Sequence, residues 1–405
     1  MNFVNLKNCM DNLVNISKTP GVDCIVYKEH KPIFRYYTGM SDIENKIPMN
    51  GKELYYIFSM TKMLTVTCAL QLFEKDKFRM EDPLSKYLPE FADMKITHSN
   101  LDNEDSLKVS TGLSVGKHAD NNSHGFAKNH ITIKNLFTMT AGFDYNVNAP
   151  YFKKAITEGE TNTLDLVKKL SDAVLWFEPG TRFKYSLCHD VLGGLIEVWS
   201  GMKFGDYMKK NVLEPLEMNN TFFGDPKDED TLSKMAALYT FEYEDTVPSY
   251  DKDGAILPAR TLLDNYFNLT NEYESGGAGL ISSAEDYAIF LDALANGGIG
   301  ANGNRILKSD TVELMKTNQL TGEALEDFYK LRNGYGYGLG VRTHIDSNLS
   351  GSYSPLGEFG WDGAAGAFSL VDTTNKLSLT YFQHARGWEV KMQDEIRNAL
   401  YKDLQ

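Results

Sequence analysis

Strand-like segments stand near both ends of this chain and helix-like ones fill its middle, so one sheet has to be assembled from residues hundreds of positions apart. At the front, Phe3, Val4, Leu6, Met10, Leu13, Val14 and Ile16 recur at helical spacing over 3–18. Gly21–Tyr27 and Ile33–Tyr37 follow and read as a hairpin turning near Lys31-Pro32. At the back, Tyr335–Arg342, Ala367–Val371 and Leu377–Phe382 read as strands, and Asp372-Thr-Thr-Asn-Lys376 as a tight turn between the last two. A helix over 389–404 closes the chain. Between these ends the sequence predicts helices at 59–75, 82–87, from Ile131 to a stop at Ala141-Gly142, 161–175 and 187–200, the last halted by Gly201. The order implies an α/β domain built from residues 1–79 and 280–405, with a mostly helical domain, 80–279, inserted into it.

Two stretches fit neither pattern. Residues 97–130 are polar and carry His98, His118, His124 and His130; residues 225–275 are irregular and acidic. A connector as long as the first is uncommon unless it is functional, which makes it a candidate site-lining segment.

Composition removes several function classes. The formal net charge of −14 opposes phosphate, so a nucleic-acid partner is not expected. No window approaches the roughly 18 uninterrupted apolar residues of a membrane span, and Asn, Asp and Lys interrupt the N-terminal apolar residues, so neither a membrane nor a signal peptide is expected and the location reads as cytoplasmic. Cys9, Cys24, Cys68 and Cys188 are scattered, without metal or redox spacing, and read as buried free thiols. The histidines have no ligand spacing either, so no metal is expected. No pattern bears on oligomeric state.

The chemistry centres on Ser-x-x-Lys. Serine is a weak nucleophile until a base takes its proton, and a lysine three residues on lies over the same helix face. Burial or a nearby cation would lower that lysine's pKa enough for the task. Four such pairs occur: Ser59/Lys62, Ser114/Lys117, Ser200/Lys203 and Ser249/Lys252. Ser200 precedes the helix-stopping Gly201, Ser249 sits in a Pro-Ser-Tyr-Asp-Lys-Asp-Gly turn, and no helix follows Ser114. Only Ser59 follows an apolar run, Tyr55-Tyr-Ile-Phe58, and opens a long helix. These residues alone leave two roles open for Ser59, nucleophile or simple helix cap. Gly112-Leu-Ser-Val-Gly116 also matches the Gly-x-Ser-x-Gly nucleophile elbow, but the strand before it and the helix after it that the elbow requires are missing.

Taken together, several segments resemble the serine β-lactamase-like superfamily, most closely the branch of class C β-lactamases and carboxylesterases. They are Phe58-Ser-Met-Thr-Lys62, Glu81–Phe91, Ile131–Gly142, Glu178-Pro-Gly-Thr-Arg-Phe-Lys-Tyr185 and Gly276–Asp286. The resemblance covers nearly the whole chain. It implies an antiparallel sheet flanked by terminal helices, in an α+β fold, with an inserted helical domain. It also implies Ser59 as nucleophile, Tyr185 beside Ser59 and Lys62 as base or proton relay, and an oxyanion hole from the N–H groups of Ser59 and Ala364. A tyrosine base would need cationic neighbours to hold its pKa down.

Two departures bear on substrate. The family's second motif is Tyr-x-Asn, and Leu187 occupies the Asn position, where it can neither donate nor accept a hydrogen bond. The third motif, Lys-Thr-Gly in lactamases, reads Trp361-Asp362-Gly363, and an Asp there would repel a substrate carboxylate. The small residues Gly363-Ala-Ala-Gly366 would let substrate approach the backbone closely. Both departures point to ester rather than β-lactam or D-Ala-D-Ala substrates, acted on through a Ser59 acyl-enzyme without an organic cofactor. Leu187, Trp361, Asp362 and Gly363 are the expected substrate contacts. Tyr151, Phe152, Trp361 and the Tyr335–Tyr337 segment suggest an aromatic pocket. A β-lactamase or peptidase, and a non-catalytic binding protein of the same fold, are the alternatives.

Overall fold

The computed structural model describes residues 2–97, 124–224, 228–241 and 249–405. Ser114 and most of the histidine-bearing 97–130 stretch lie outside them.

The two ends do meet in one sheet. Its eight antiparallel strands run, in spatial order, Tyr335–Tyr337, Arg342–His344, Phe359–Gly360, Phe368–Asp372, Leu377–Phe382, Gly21–Lys28, Lys31–Asp42 and Ile47–Pro48. The closing contact joins the first strand of the chain to one of the last, with Cys24 opposite Tyr381 and Val26 opposite Leu379. Alternation along these strands sorts the core. Val22, Cys24, Val26, Leu377, Leu379 and Tyr381 face the terminal helices Val4–Asn15 and Lys391–Leu404, which supply Leu6, Met10, Ile396 and Leu400. The opposite face, with Ile25 and Phe382, packs against the larger core that includes the helix Ala284–Ala295. Ser283 caps that helix by accepting from the Asp286 N–H.

The helix Thr61–Phe73 passes through the middle of this core. All of its residues but Phe73 are buried, as expected of a helix apolar on every side. It packs on Cys188–Ser200, which ends at Gly201 in the left-handed conformation, φ 70°. A small antiparallel sheet of Leu54–Tyr56, Leu280–Ser283 and Phe222–Phe223 ties the segment before Ser59 to the segment re-entering the main sheet.

Several expected elements differ in detail. Tyr335–Arg342 is not one strand: the chain turns through Gly338–Val341 and pairs back on itself, Tyr337 opposite Arg342. A positive φ of 75° at Gly340 makes the turn. The helix from Ile131 shrinks to Ile133–Phe137, because the Thr132–Asn135 capping box fixes its start and the chain leaves the helix at Thr138. The 82–87 segment is a single 3-10 turn, Leu84–Lys86, and 161–175 divides into Thr163–Lys168, a 3-10 turn and the short strand Val174–Leu175.

Polar groups also bridge the sheet to its C-terminal helix. Arg342 from the sheet and Arg397 from the helix share the Glu358 carboxylate, at 2.8 and 3.2 Å, and none of the three side chains is more than 2% exposed. Breaking such a buried cluster leaves unpaired charge in a low-dielectric interior. Glu358→Gln removes the anion common to both arginines. It should destabilise the fold by about 3–5 kcal/mol, read as a lower urea midpoint at unchanged slope.

Candidate active site

Ser59 is placed by an abrupt change of chain direction. The strand Leu54–Tyr56 ends, Phe58 takes φ 44°, and a 3-10 turn, Phe58–Met60, leads directly into the helix Thr61–Phe73. A bulky residue at positive φ is a genuine outlier, held only when its surroundings fix it. Here the Phe58 ring is fully buried, 6.0 Å from Tyr56 and edge-on to Phe267. From Glu53 to Leu72 every residue is buried except Ser59. Ser59 is also the second residue of the 3-10 turn, and the N–H groups of a first helical turn have no partner within the helix.

Lys62 lies one turn further on and is completely buried. Its Nζ stands 3.3 Å from Ser59 Oγ, 3.0 Å from the Tyr145 hydroxyl and 2.7 Å from the Gly277 carbonyl oxygen, to which it donates. Burial lowers its pKa to about 7, against the opposing pull of the Asp190 and Asp362 carboxylates. At neutral pH the amine is therefore close to half unprotonated. A neutral amine has two N–H groups and one lone pair, which suits a carbonyl acceptor on one side and a serine hydroxyl on the other.

The Tyr185 hydroxyl hydrogen-bonds the Ser59 side chain and accepts from Trp361 Nε1 at 3.2 Å. Its ring is stacked between Tyr145, centroids 5.4 Å apart, and Trp361, 5.5 Å apart. Burial raises the Tyr185 pKa well above the ordinary phenol range, and that of Tyr145 likewise. Burial outweighs the nearby Lys62 amine at Tyr185, whereas at Lys62 burial lowers the pKa. Both phenols stay protonated.

Tyr145 and Asp190 were not anticipated. Asp190 is buried in the first turn of the helix Cys188–Ser200. Its Oδ1 accepts from Ser275 Oγ at 2.7 Å and from the Tyr273 hydroxyl at 2.9 Å. Ser275 Oγ in turn accepts from the Ala278 N–H. Asp190 thus holds the loop whose Gly277 carbonyl holds Lys62. A side chain at 277 would collide with Asp190, 2.5 Å from an ideal Cβ, and with the Tyr145 hydroxyl at 2.9 Å. The Gly276-Gly-Ala-Gly run was visible in the sequence, but not the partner it makes room for.

The other expected residues divide. Gly363 meets the segment before Ser59: an ideal Cβ on it would lie 2.5 Å from the Ile57 carbonyl oxygen. Its lack of a side chain serves that backbone approach. The turn Gly363–Ala367 brings Ala364 to the same side, half-exposed, with its carbonyl accepting from Trp388 Nε1. Trp361 reaches Tyr185, as above. Asp362, expected to repel a substrate carboxylate, is bound by Arg332 Nη2 at 2.8 Å and Gln393 Nε2 at 2.7 Å, so its charge is compensated. Leu187 is 2% exposed and part of the core. Of the expected aromatic pocket, Tyr337 is fully buried behind Trp361, edge-on at 5.2 Å. Tyr335 instead covers the Arg342 and Arg397 guanidiniums, and Phe152 is buried against Tyr151. The four cysteines are free thiols. Among the described residues no His/Cys/Asp/Glu group could hold a metal ion, and no helix is long and apolar enough to cross a membrane.

With this geometry in view, the profile of the family described as Beta-lactamase matches residues 6–403. The chain belongs to the beta-lactamase family. Among its relatives, the esterase EstB of Burkholderia gladioli is 24% identical over 414 residues, covering 96% of this chain and 93% of EstB. A putative D-alanyl-D-alanine carboxypeptidase of Escherichia coli strain K12 is 22% identical, covering 89% of this chain and 77% of its own. The solved structure of EstCE1, a hydrolase with promiscuous acyltransferase activity, superposes with a TM-score of 0.75 at 22% identity, covering 98% of this chain and 97% of that one. This beta-lactamase-family chain thus shares its fold with EstCE1 and has an esterase and a putative carboxypeptidase among its relatives.

The balance of charges around Lys62 can be measured directly. Its amine should titrate with a midpoint near 7, read from the side-chain chemical shifts of isotopically labelled lysine. Asp190→Asn removes the carboxylate that most strongly opposes the effect of burial, so the midpoint should move lower. An unchanged midpoint would show that Asp190 has no electrostatic hold on Lys62.

Proposed function

We propose that the chain is a serine hydrolase of ester bonds, working through a Ser59 acyl-enzyme. One observation carries this reading: in a buried segment only Ser59 reaches the surface, and its Oγ lies 3.3 Å from the nitrogen of a fully buried lysine whose pKa is near 7.

Neutral Lys62 takes the Ser59 proton as Oγ attacks the ester carbonyl carbon. The tetrahedral oxyanion is stabilised by the N–H groups of Ser59 and Ala364, aimed where charge develops. As the intermediate collapses, the leaving alkoxide takes a proton from the Lys62 ammonium, directed by the Tyr185 hydroxyl beside the Ser59 oxygen. Water or another alcohol then adds to the acyl-enzyme and gives its proton to Lys62, which returns it to Ser59 Oγ as the acid or new ester leaves. Tyr145 helps hold the amine in place through its hydroxyl, 3.0 Å from Nζ, beside the stacked Tyr145 and Tyr185 rings.

Ester preference is supported by the esterase relative EstB. The carboxypeptidase relative supports the amide reading. Location in the cytoplasm and a small-molecule substrate without nucleic acid or membrane remain part of the proposal.

A fluorophosphonate should label Ser59 and no other residue, located by mass spectrometry. Label elsewhere, or none, overturns the reading. Ser59→Ala and Lys62→Met should abolish p-nitrophenyl butyrate hydrolysis, and Tyr185→Phe should lower kcat by roughly 10²–10⁴-fold. Because the unprotonated amine is the competent base, kcat/KM should rise with pH and level off above about 7. Nitrocefin turnover matching ester turnover would favour the amide reading.

A further inference from the structure

A cavity of about 370 Å³ lies against the Gly363–Ala367 turn, and its described lining includes no residue of the catalytic centre. That volume is within the range of small-molecule sites. The cavity opens between the end of the helix Val4–Asn15, the segment joining Phe382 to the C-terminal helix, and Ala255-Ile256. The chemistry above does not use it. Two of its walls nevertheless touch the turn. Trp388 Nε1 donates to the Ala364 carbonyl at 3.3 Å. Gln383 fills the space beside Gly366, where any side chain would collide with its amide.

The lining says what the cavity can hold. Leu13, Phe241, Trp388 and Met392 give it apolar walls. Among them stands one buried amide, Gln383, 1% exposed. Its Oε1 is engaged by the Tyr381 hydroxyl at 2.7 Å. Its Nε2 carries two N–H groups, and the bond it makes, to the Ala385 carbonyl, is long at 3.4 Å. A donor is therefore free for an occupant, and a buried donor left unpaired is costly. At the exposed rim Lys391 pairs with Glu395 at 3.6 Å, which leaves the charge of Glu389 in excess. A carboxylate would be repelled there, and an ammonium would find the Gln383 oxygen already engaged.

We propose that this cavity is a second ligand site, that it takes an uncharged apolar molecule carrying one acceptor oxygen, such as an alcohol, and that its occupant acts on Ser59 through Trp388. The binding claim stands apart from the ester-hydrolase reading, and the coupling rests on it. An occupant packed on the indole fixes the group that holds the Ala364 carbonyl. The Ala364 N–H, one half of the proposed oxyanion hole, is then better preorganised for the charge that develops.

Calorimetry with 3-phenylpropan-1-ol tests the site on protein whose Ser59 has been capped by a fluorophosphonate, or on Ser59→Ala protein should no label form. Saturable binding is expected with Kd roughly 0.1–1 mM. It should weaken roughly 3- to 10-fold in Gln383→Leu and vanish in Ile256→Trp, whose larger side chain fills the mouth. The acid and the amine with the same body, 3-phenylpropionate and 3-phenylpropylamine, should bind about 10-fold more weakly or worse. No saturable heat, or equal affinity in Ile256→Trp, overturns the site. Tighter binding of the acid or the amine overturns the ligand class. The coupling is read from the rate of fluorophosphonate labelling, which develops charge in the same oxyanion hole without a deacylation step. Saturating alcohol should raise that rate several-fold in wild type and leave it unchanged in Ile256→Trp. Binding without any change in labelling rate keeps the site and overturns the coupling. Binding in a protein whose Ser59 takes no label keeps the site and overturns the hydrolase reading together with the coupling.

Discussion

A primary amine with no water around it is the constraint on which this structure turns. Lys62 is fully buried, and burying a charged ammonium is expensive unless the group is paired or gives up its proton. The fold meets that cost by halves. One carbonyl, Gly277, accepts an N–H; two tyrosine rings flank the nitrogen; and a buried carboxylate, Asp190, keeps the protonated form within reach. With the carboxylate closer, the amine would stay charged and lose its basicity. With none, burial would hold its pKa lower still and make it a poorer proton acceptor. A pKa near 7 is the compromise between those limits.

The surrounding architecture follows from that placement. The helix Thr61–Phe73 has to be apolar on nearly every side to pass through the core, so its one lysine lies where the core is interrupted by Gly276-Gly277. The helix Cys188–Ser200 brings Asp190 to that gap from the other side, with Tyr185 just before it in the chain. One helix start therefore carries both the group that adjusts Lys62 and the phenol that contacts Ser59. The same burial acts on Tyr185 with the opposite result, since a desolvated phenol holds its proton more tightly, which favours the relay over the base among the two roles expected of it.

How much of this the sequence disclosed depends on distance along the chain. Ser59 and Lys62 were legible because their relation is local, three residues on one helix. The sheet was legible because alternation in Gly21–Tyr27 and Leu377–Phe382 is local too, and only its closure is long-range. Tyr145 and Asp190 had no local pattern to mark them; each matters because folding brings it across 83 and 128 positions to Lys62 (145 − 62 and 190 − 62). Residue identity alone also leaves surroundings unread: Arg332 and Gln393 both reach Asp362 Oδ2, and Leu187, an expected substrate contact, is 2% exposed. Tyr335 and Tyr337, two apart on one strand, would share a face, but a three-residue strand running into a turn at Gly338 sends only Tyr337 towards Trp361.

Context also separates the serine at this position from an ordinary helix cap. A cap needs only an extended residue before the helix and a side-chain oxygen turned back onto its N–H groups. Ser59 is reached instead through Phe58 at φ 44°, a conformation that costs on the order of 1–3 kcal/mol. Ile57, not Ser59, stands at the cap position of that turn, and Ser59 Oγ pairs with Lys62 Nζ. Phe267 at the edge of the Phe58 ring and Arg386 above it hold that conformation. The strain turns the serine away from the helix end that a cap would satisfy and towards the lysine nitrogen. Selection for stability alone would remove it by placing an unstrained residue at 58, so its presence argues that the exposed hydroxyl beside Lys62, not the helix start, is what this corner of the fold is built to present.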